Sequence, residues 1–540
     1  MAVPLIFHRF RIGLTPETIV ITLATALFFF LLLCPLIGLF FDLLNTFITG
    51  SADLVAPLIL SPRRISLLIA SIGLAAAVAG AGVIIGVLFV LALFRLPGKL
   101  LYGILLLLLA LAGIPPYIHA LTWSEAMHAA GAVLPGLPTT GWLISFWVEL
   151  MALLPLSVFL TWIAFASIDI RLVDAGRLVR SDHSVLRSII LPLAAPALGA
   201  AFGFVFLICC ADYSVPSLFG ADVYALDIFA QFSASNSAAQ AFLYALPLLL
   251  VTLFVMIACR SGIRTLAQTP ARFSARFGTP LVFPYWFRVL QITAAILLGI
   301  QIIVLFSGLM LAVESPDAFI TSVLLAQKEL MYSLLTAALV VIISLPLALA
   351  AAQELRKPGI RGAAAWIIIL VPLAVPAPLI GIGMIMMGNL PVFSSIYPAL
   401  IMPALVSVIK FAPFAAIILF VQMRFIDPLL FDAAAIFARN RTDALIRIHL
   451  PLFAPGLVVS AGILAALTLA ELGATLIVAP PGHATITMRI YNYLHYGSSS
   501  DVAGLCLMVT VLTLAVCTGT ILALRFISRN PGNAEGESGA

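Results

Sequence analysis

The sequence predicts an all-helical membrane protein, and two features of its composition support this fold class. Of its 540 residues, 63% are hydrophobic. Only 9% are charged, whereas soluble domains carry roughly 25% charged residues. This composition excludes a soluble enzyme, which needs more polar surface, and a disordered chain, which contains fewer apolar residues.

The apolar residues form segments long enough to cross a bilayer. A spanning helix needs about 20 apolar residues, because about 30 Å of hydrocarbon is crossed at about 1.5 Å per residue. The first segment is too long for the apolar core of a signal peptide, so we predict that it is a retained span. The twelve predicted spans are 19–41, 65–94, 99–121, 141–167, 193–212, 240–259, 288–313, 331–352, 363–388, 397–423, 452–478 and 502–527.

The positive charges are distributed unequally between the two sides of this arrangement. Of the 27 Lys and Arg residues, Lys410 lies within a span and four fall on one side, which leaves 22 on the other. The four are Arg63, Arg64, Lys328 and Arg489. Because basic loops stay in the cytoplasm, the pattern predicts that both termini are cytoplasmic. Membrane orientation therefore explains the net charge of +5, and no nucleic-acid partner is expected.

The chain contains an internal duplication. Residues 174–192 read DAGRLVRSDHSVLRSIILP, and residues 432–451 read DAAAIFARNRTDALIRIHLP. Both segments follow the fourth span of a six-span set, on the basic side. Further matches at an offset of 258 or 259 residues pair Pro155 with Pro413 and Asp212 with Glu471. An even number of spans per unit predicts that the two units face the same way, unlike the inverted repeats of many secondary transporters.

The duplication predicts two membrane units joined by a basic segment. The segment after the second unit is rich in Gly, Glu and Ser and is predicted to be disordered. The predicted divisions are a first unit at 1–260, a cytoplasmic connector at 261–287, a second unit at 288–529 and a tail at 530–540.

The repeated segments resemble the "EAA" loop of permease subunits of binding-protein-dependent ATP-binding-cassette importers. The family pattern is Glu-Ala-Ala, three residues, Gly, nine residues, Ile, one residue and Leu-Pro. The second copy matches this spacing but has Ala438 where the family has Gly; its matching residues are Asp432, Ala433, Ala434, Ile448, Leu450 and Pro451. The first copy is one residue shorter; its matching residues are Asp174, Ala175, Gly176, Leu191 and Pro192.

This resemblance implies a type I importer fold with two tandem six-helix units, similar to the fused permeases for ferric iron and thiamine. In that family the loop docks on a cytoplasmic ATPase, so 171–192 and 429–451 would be the coupling loops. The implied partners are two copies of the ATPase, a periplasmic solute-binding protein and the bilayer of the bacterial inner membrane. The sequence contains no G-x-x-x-x-G-K-[ST] motif, so ATP and Mg would be bound by the partner and no cofactor by this chain.

The shorter first loop predicts that the two ATPase contacts are inequivalent. Removing one residue from a helix rotates the remainder of that helix by about 100°. We expect the first loop to be tightened near Arg180–Asp182.

Ionisable residues inside spans are candidates for a solute pathway, because burying each costs about 2.5–3.5 kcal/mol on the insertion scale. Asp212 and Glu471 lie at matching positions, near the outer end of a fifth span. Together they could attract a cation, or each could instead cap a broken helix. The Glu471–Thr475 segment also resembles the corresponding segment of sulfate and molybdate permeases, whose solutes are anions. The carboxylates alone therefore do not determine whether the solute is a cation or an anion.

Glu149 and Lys410 are a second candidate pair. At an offset of 258, Lys410 corresponds to Ala152, about one helical turn from Glu149. The two side chains could form an ion pair between the units. Alternatively, the Lys410 side chain could extend to the membrane–water interface, or each of the two side chains could hydrogen-bond within its own unit.

The outer segment after Glu471 supplies further candidates. Arg489 aligns approximately with Asp227 of the first unit. The histidines and tyrosines between Pro480 and Gly497 could ligate a metal, although a docking surface or gate lining fits this family better and no metal site is predicted. The sequence of this segment is most similar to that of ferric-iron permeases. This similarity favours ferric iron as the solute over thiamine, polyamine, phosphonate or oxyanion.

Two other functions stay open at this point. An ion-coupled secondary transporter could use Asp212, Glu471, Glu149 and Lys410, although the paired coupling loops argue against it. An intramembrane enzyme is disfavoured because H-E-x-x-H, G-x-S-x-G and clustered metal ligands are missing from the sequence.

Overall fold

The computed structural model is a bundle of long helices, and no strand occurs among the residues that it describes. Those residues are 16–50, 53–133, 136, 138–268, 281–313, 315–394, 399–427, 429–430, 436–437, 441–496 and 499–529. The predicted all-helical class is therefore confirmed for this part of the chain.

The first half of the chain contains eleven α-helices in the described residues. They are α1 (Pro16–Thr49), α2 (Pro62–Leu93), α3 (Gly98–Ala112), α4 (Pro116–Val133), α5 (Trp142–Ala166), α6 (Ile170–Arg177), α7 (Asp182–Val185), α8 (Leu191–Ala211), α9 (Ser214–Leu218), α10 (Tyr224–Ser235) and α11 (Ala238–Gln268). A π-helical turn at Leu186–Ile190 separates α7 from α8.

The second half continues with twelve helices in the described residues. They are α12 (Tyr285–Ala312), α13 (Pro316–Leu325), α14 (Gln327–Leu355), α15 (Gly359–Ala374), α16 (Ala377–Asn389), α17 (Pro391–Ser394), α18 (Met402–Phe425), α19 (Arg441–Ala444), α20 (Leu450–Leu469), α21 (Thr475–Val478), α22 (Ile486–Tyr496) and α23 (Ser499–Arg529). A second π-helical turn, Leu445–His449, precedes α20.

The helices are long and apolar enough to cross a membrane at ten places in the described residues, or at up to twelve if each of two bent pairs is one span. The sequence predicted single spans at 99–121 and 363–388. Instead, α3 and α4 meet at 95°, and α15 and α16 meet at 107°. Prolines cause both breaks, because Pro115–Pro116 and Pro376 lack the amide hydrogen that a continuous helix needs and clash with the preceding turn.

The order of helices is repeated, and matching contacts recur in both copies. In the first half, the amide of Tyr224 at the start of α10 donates to Ser71 Oγ of α2 at 2.8 Å. In the second half, the amide of Ile486 at the start of α22 donates to Ser333 Oγ of α14 at 2.9 Å. Both pairs are separated by 153 residues along the chain. The helices α1, α2, α5, α8 and α11 therefore correspond to α12, α14, α18, α20 and α23.

The ends of α8 and α20 lie side by side. A Cβ atom on Gly473, just after α20, would be 3.6 Å from the ring of Tyr213, just after α8. The start of α5 is at the same end, because the amide of Gly141 donates to the Phe219 carbonyl at 2.7 Å. We call this the carboxylate end of the bundle, since Asp212 and Glu471 lie there.

The opposite end, which we call the loop end, contains the segments that lead into α8 and α20. Arg95, just after α2, donates to the Leu281 carbonyl at 2.9 Å. The neighbouring amide of Val282 donates to Asp182 Oδ2 of α7 at 2.6 Å. Since α3 starts at this end and α4 leads to Gly141, the bent pair connects the two ends of the bundle.

The second bent pair connects the ends in the same way. Helices α15 and α16 lie between α14 and α18 in the chain. The Tyr332 hydroxyl near the start of α14 donates to the Leu400 carbonyl just before α18 at 2.8 Å, so those two helices start at the same end. The two halves also interlock: α1 packs against α14 and α16 of the second half, whereas α12 packs against α2 and α4 of the first.

The predicted domain boundaries stay predictions. Helix α11 extends to Gln268, past the predicted end of the first unit at residue 260. Residues 269–280 of the connector and the tail 530–540 lie outside the described residues.

Replacing Gly383 with alanine should destabilise the packing of α1 against α16. An added Cβ would lie 2.3 Å from the Pro35 carbonyl oxygen of α1, and such overpacking costs about 1–3 kcal/mol. We expect a lower midpoint of thermal unfolding in detergent. Gly299→Ala is a matched control, because its Cβ would meet nothing within 4 Å. Equal midpoints for the two variants would contradict this packing.

Candidate functional site

An ion pair links α18 to the end of α20. Lys410 Nζ lies 2.5 Å from Glu471 Oε2, and the side chains are 29% and 2% exposed, respectively. The other carboxylate oxygen, Oε1, accepts the amide hydrogen of Ala474 at 2.8 Å. Glu471 therefore caps the start of α21 while Lys410 compensates its charge.

Asp212 plays the same capping role after α8. Its carboxylate accepts from the Ser214 hydroxyl at 2.8 Å and from the amide of Val215 at 3.1 Å. Like Glu471, it receives an amide hydrogen from the residue three positions ahead. Of the two alternatives predicted for these carboxylates, capping of a broken helix is the one that the structure shows.

Glu149 lies on α5 and is completely buried. Neither of its carboxylate oxygens accepts a hydrogen bond from a donor in the described residues. The groups that interact electrostatically with it are Asp212 and Cys209. The predicted alternative of a pair between Glu149 and Lys410 is wrong, because Glu471 of the same half takes Lys410.

Tyr213 lies between the two capping carboxylates, and the sequence analysis did not identify it. Its buried hydroxyl has no hydrogen-bond partner in the described residues, and its ring stacks on Phe229 with centroids 6.5 Å apart. It interacts electrostatically with Glu471 and Asp212. The repeat offered no signal for it, because the matching position after α20 is Leu472.

Arg489 and Asp227 do not pair with each other. Arg489 lies 2.7 Å from Glu329 and donates to the Tyr493 hydroxyl at 2.9 Å. Burial opposes its charge, but these hydrogen bonds raise the pKa of Arg489 above its usual value. Asp227 instead accepts from the Tyr244 hydroxyl and forms an ion pair with Arg63 at 3.4 Å. Each residue therefore forms its contacts with helices of its own half.

The histidines and tyrosines of the 480–497 segment are candidate metal ligands, and two of their side chains, His495 and Tyr496, lie outside the described residues. No group of three or more His, Cys, Asp or Glu side chains that could hold a metal occurs among the residues that the structure describes.

At the loop end, α6 is built to hold a fixed position. Asp169 caps it by accepting the amide hydrogen of Arg171 at 3.0 Å, and Asp427 does the same for Leu429 at 2.9 Å in the second copy. Gly176 is buried, and a Cβ there would lie 2.4 Å from Ile189 Cδ1. A Cβ at this position would have to displace the end of the Ile189 side chain, so glycine favours close packing of α6 on the turn before α8.

The motif residues of this region are mostly accessible. In the first copy Asp174, Ala175 and Pro192 are exposed and Leu191 is half-buried; in the second copy Leu450 and Pro451 are exposed and Ile448 is half-buried. Asp432, Ala433, Ala434 and Ala438 lie outside the described residues.

Both loops also expose a pair of large apolar side chains. Leu178 and Val179 are 87% and 81% exposed, and Ile436 and Phe437 are 76% and 81% exposed. The two pairs are 258 residues apart, so they occupy equivalent positions. Contiguous exposed apolar surface can mark an interaction site, and here adjacent apolar side chains are exposed at equivalent positions of both loops.

The two π-helical turns locate the difference in loop length. They match at an offset of 259 residues, whereas the exposed apolar pairs match at 258. Helices α7 and α19 also match at 259 residues, so the residue missing from the first loop falls between Val179 and Asp182. Tightening of the first loop in this region stays a prediction. Each turn immediately precedes a Leu-Pro pair, whose proline lacks the amide needed for regular α-helical bonding.

Neither a protein-family model nor a curated protein matches the sequence.

Removing Lys410 should strongly destabilise the protein. Breaking a buried ion pair by removing one partner costs about 3–5 kcal/mol, so we expect Lys410→Met to lower the midpoint of unfolding in detergent. Lys410→Met/Glu471→Gln should recover part of the loss, because no charge is left unpaired.

A surface ion pair supplies the control for this experiment. Arg447 pairs with Asp443 at 2.8 Å but is 74% exposed, so Arg447→Met should cost less than about 1 kcal/mol. The ion pair would be refuted if the losses of the two single variants at 410 and 471 simply added in the double variant.

Proposed function

We propose that this chain is the membrane-spanning permease of an ATP-binding-cassette importer. It would move a small solute from a periplasmic binding protein into the cytoplasm, driven by two copies of a separate ATPase. The observation that carries the proposal is the pair of equivalent loops at one end of the bundle, each exposing two large apolar side chains. The EAA-like spacing of the same loops supports it.

The two loops would each dock one ATPase subunit. Leu178–Val179 and Ile436–Phe437 are the apolar anchors, and the exposed Asp174 and Ala175 extend the first surface. Closure of the ATPase dimer on ATP would move the loops together. Each loop leads through a π-helical turn into α8 or α20, so the movement would reach Asp212 and Glu471 at the far ends.

The orientation follows from the same proposal. If each bent pair is one span, the chain crosses the membrane twelve times, and the basic loops place both termini in the cytoplasm. The membrane would be the bacterial inner membrane. Ferric iron is the favoured solute because the sequence of the 480–497 segment is most similar to that of ferric-iron permeases. The periplasmic binding protein would supply most of the selectivity.

An ion-coupled secondary transporter is the second candidate. The observation that favours it is Glu149, a carboxyl buried in a spanning helix without a hydrogen-bond donor in the described residues. Transport in sealed vesicles driven by an ion gradient without ATP would support this candidate against the importer.

Charged substitutions in either apolar pair should uncouple the importer. We expect Leu178→Asp/Val179→Asp, and separately Ile436→Asp/Phe437→Asp, to abolish copurification of the ATPase and to lower transport at least tenfold. The unfolding midpoint should stay near that of the wild type, because these side chains contact solvent.

Val55→Asp/Leu58→Asp is the matched control. These side chains are 66% and 54% exposed and lie at the carboxylate end, so ATPase copurification should persist. Normal transport in both loop variants would overturn the docking proposal.

Lengthening the first loop should change its coupling. One alanine inserted after Arg180 makes the first loop as long as the second and rotates α6 relative to α7 by about 100° if the helix absorbs it. We expect the ATPase to stay bound while the amount of solute moved per ATP falls.

An alanine inserted after the exposed Gly50, which has no role in the proposed mechanism, should leave this ratio unchanged. The first contact would be shown to lack a coupling role if neither the insertion nor Arg180→Asp altered transport or ATPase activity.

A further inference from the structure

Glu149 is a carboxyl in a place where an ionised carboxyl is costly. It has no exposed surface, and both oxygens lack a hydrogen-bond donor in the described residues. Its helix, α5, is one of the candidate membrane spans. An isolated carboxylate in such surroundings is strongly unfavourable, so this group must be compensated by a cation or carry a proton.

The polar neighbour of Glu149 is another acid. Asp212 lies at the end of α8, which packs against α5, and it interacts electrostatically with Glu149. Asp212 already accepts hydrogens from Ser214 and Val215. Both carboxylate oxygens of Asp212 are therefore already engaged as acceptors. Two carboxylates are both acceptors, so a hydrogen bond between these side chains requires one acid hydrogen.

In the described residues of the first half, no cation takes that role. Helices α2, α3, α4, α8, α9 and α12 pack against α5. Among the described residues of these helices and their ends, Asp212 and Cys209 are the titratable groups that interact with Glu149. Metal-binding clusters of three or more acidic, His or Cys side chains are likewise missing from the described part of the chain.

The second half shows how the equivalent charge is compensated there. Lys410 of α18 neutralises the capping carboxylate of Glu471. At the offset that matches Pro155 to Pro413, Lys410 corresponds to Ala152, one turn from Glu149 on α5. The first half therefore has a capping carboxylate and, one turn from the position of the lysine, a second acid.

We infer that Glu149 is protonated and donates a hydrogen bond to Asp212, so that the two side chains form a proton-binding site at the carboxylate end. The acid hydrogen of Glu149 does in the first half what the ammonium of Lys410 does in the second. Losing that proton would leave two negative charges side by side and favour their separation. The site follows from the local contacts and holds whether or not the chain is an importer permease.

Infrared spectroscopy of the purified full-length chain in lipid nanodiscs tests this directly. At neutral pH we expect a C=O stretching band of a protonated carboxylic acid that shifts in D₂O. Glu149→Gln should remove the band, whereas Asp212→Asn should keep it at a changed frequency. Glu125→Gln, at an exposed position on α4, should leave it unaltered.

Isotope labelling of the wild-type protein makes the result independent of whether the variants fold. Carbon-13 labelling of glutamate side chains should shift the band, and labelling of aspartate should not. A shift on aspartate labelling would place the proton on Asp212, and absence of the band at neutral pH would show that neither acid is protonated. Either result overturns the inference, while the importer proposal depends on the separate ATPase copurification experiment.

Discussion

Hydrocarbon offers no hydrogen-bond partner to a backbone amide, so every break in a spanning helix must be satisfied by the protein itself. This chain breaks its helices just after α8 and α20, and Asp212 and Glu471 supply the missing acceptors there. A carboxylate in that position then needs its own charge compensated. Lys410 does this in the second half, and the unusual environment of Glu149 in the first half follows from the same requirement.

The arrangement connects the two ends of the bundle mechanically. Helix α8 has 21 residues, so it is about 32 Å long at about 1.5 Å per residue, and it joins the first loop to Asp212. Helix α20 joins the second loop to Glu471. Helices α1 and α12 each pack on the opposite half, so the two halves share an extensive helix interface. The importer proposal requires that movement of the loops is transmitted through this interface.

The sequence predicted the helical class, the positions of ten spans and the repeat, because apolar length and paired motifs are local signals. It missed the bends at Pro115 and Pro376, since hydropathy continues across a proline. The partner of Lys410 depends on how α18 meets the end of α20, so no spacing rule could choose between Glu149 and Glu471. Tyr213 and the exposed pair at Leu178 became candidates only when the structure gave their burial and neighbours. Helix capping by Asp212 was one of two alternatives that the sequence left open, and the contacts with Ser214 and Val215 show it.

The central claim is that two equivalent loops face the same, cytoplasmic side of the membrane. Single cysteines at Leu178 and Ile436, in a chain whose six native cysteines are replaced, can be labelled with a membrane-impermeant maleimide in vesicles of known orientation. Both positions should react in inside-out vesicles and neither in right-side-out vesicles. Labelling of the two positions from opposite sides, or of both from the outside, would contradict the account.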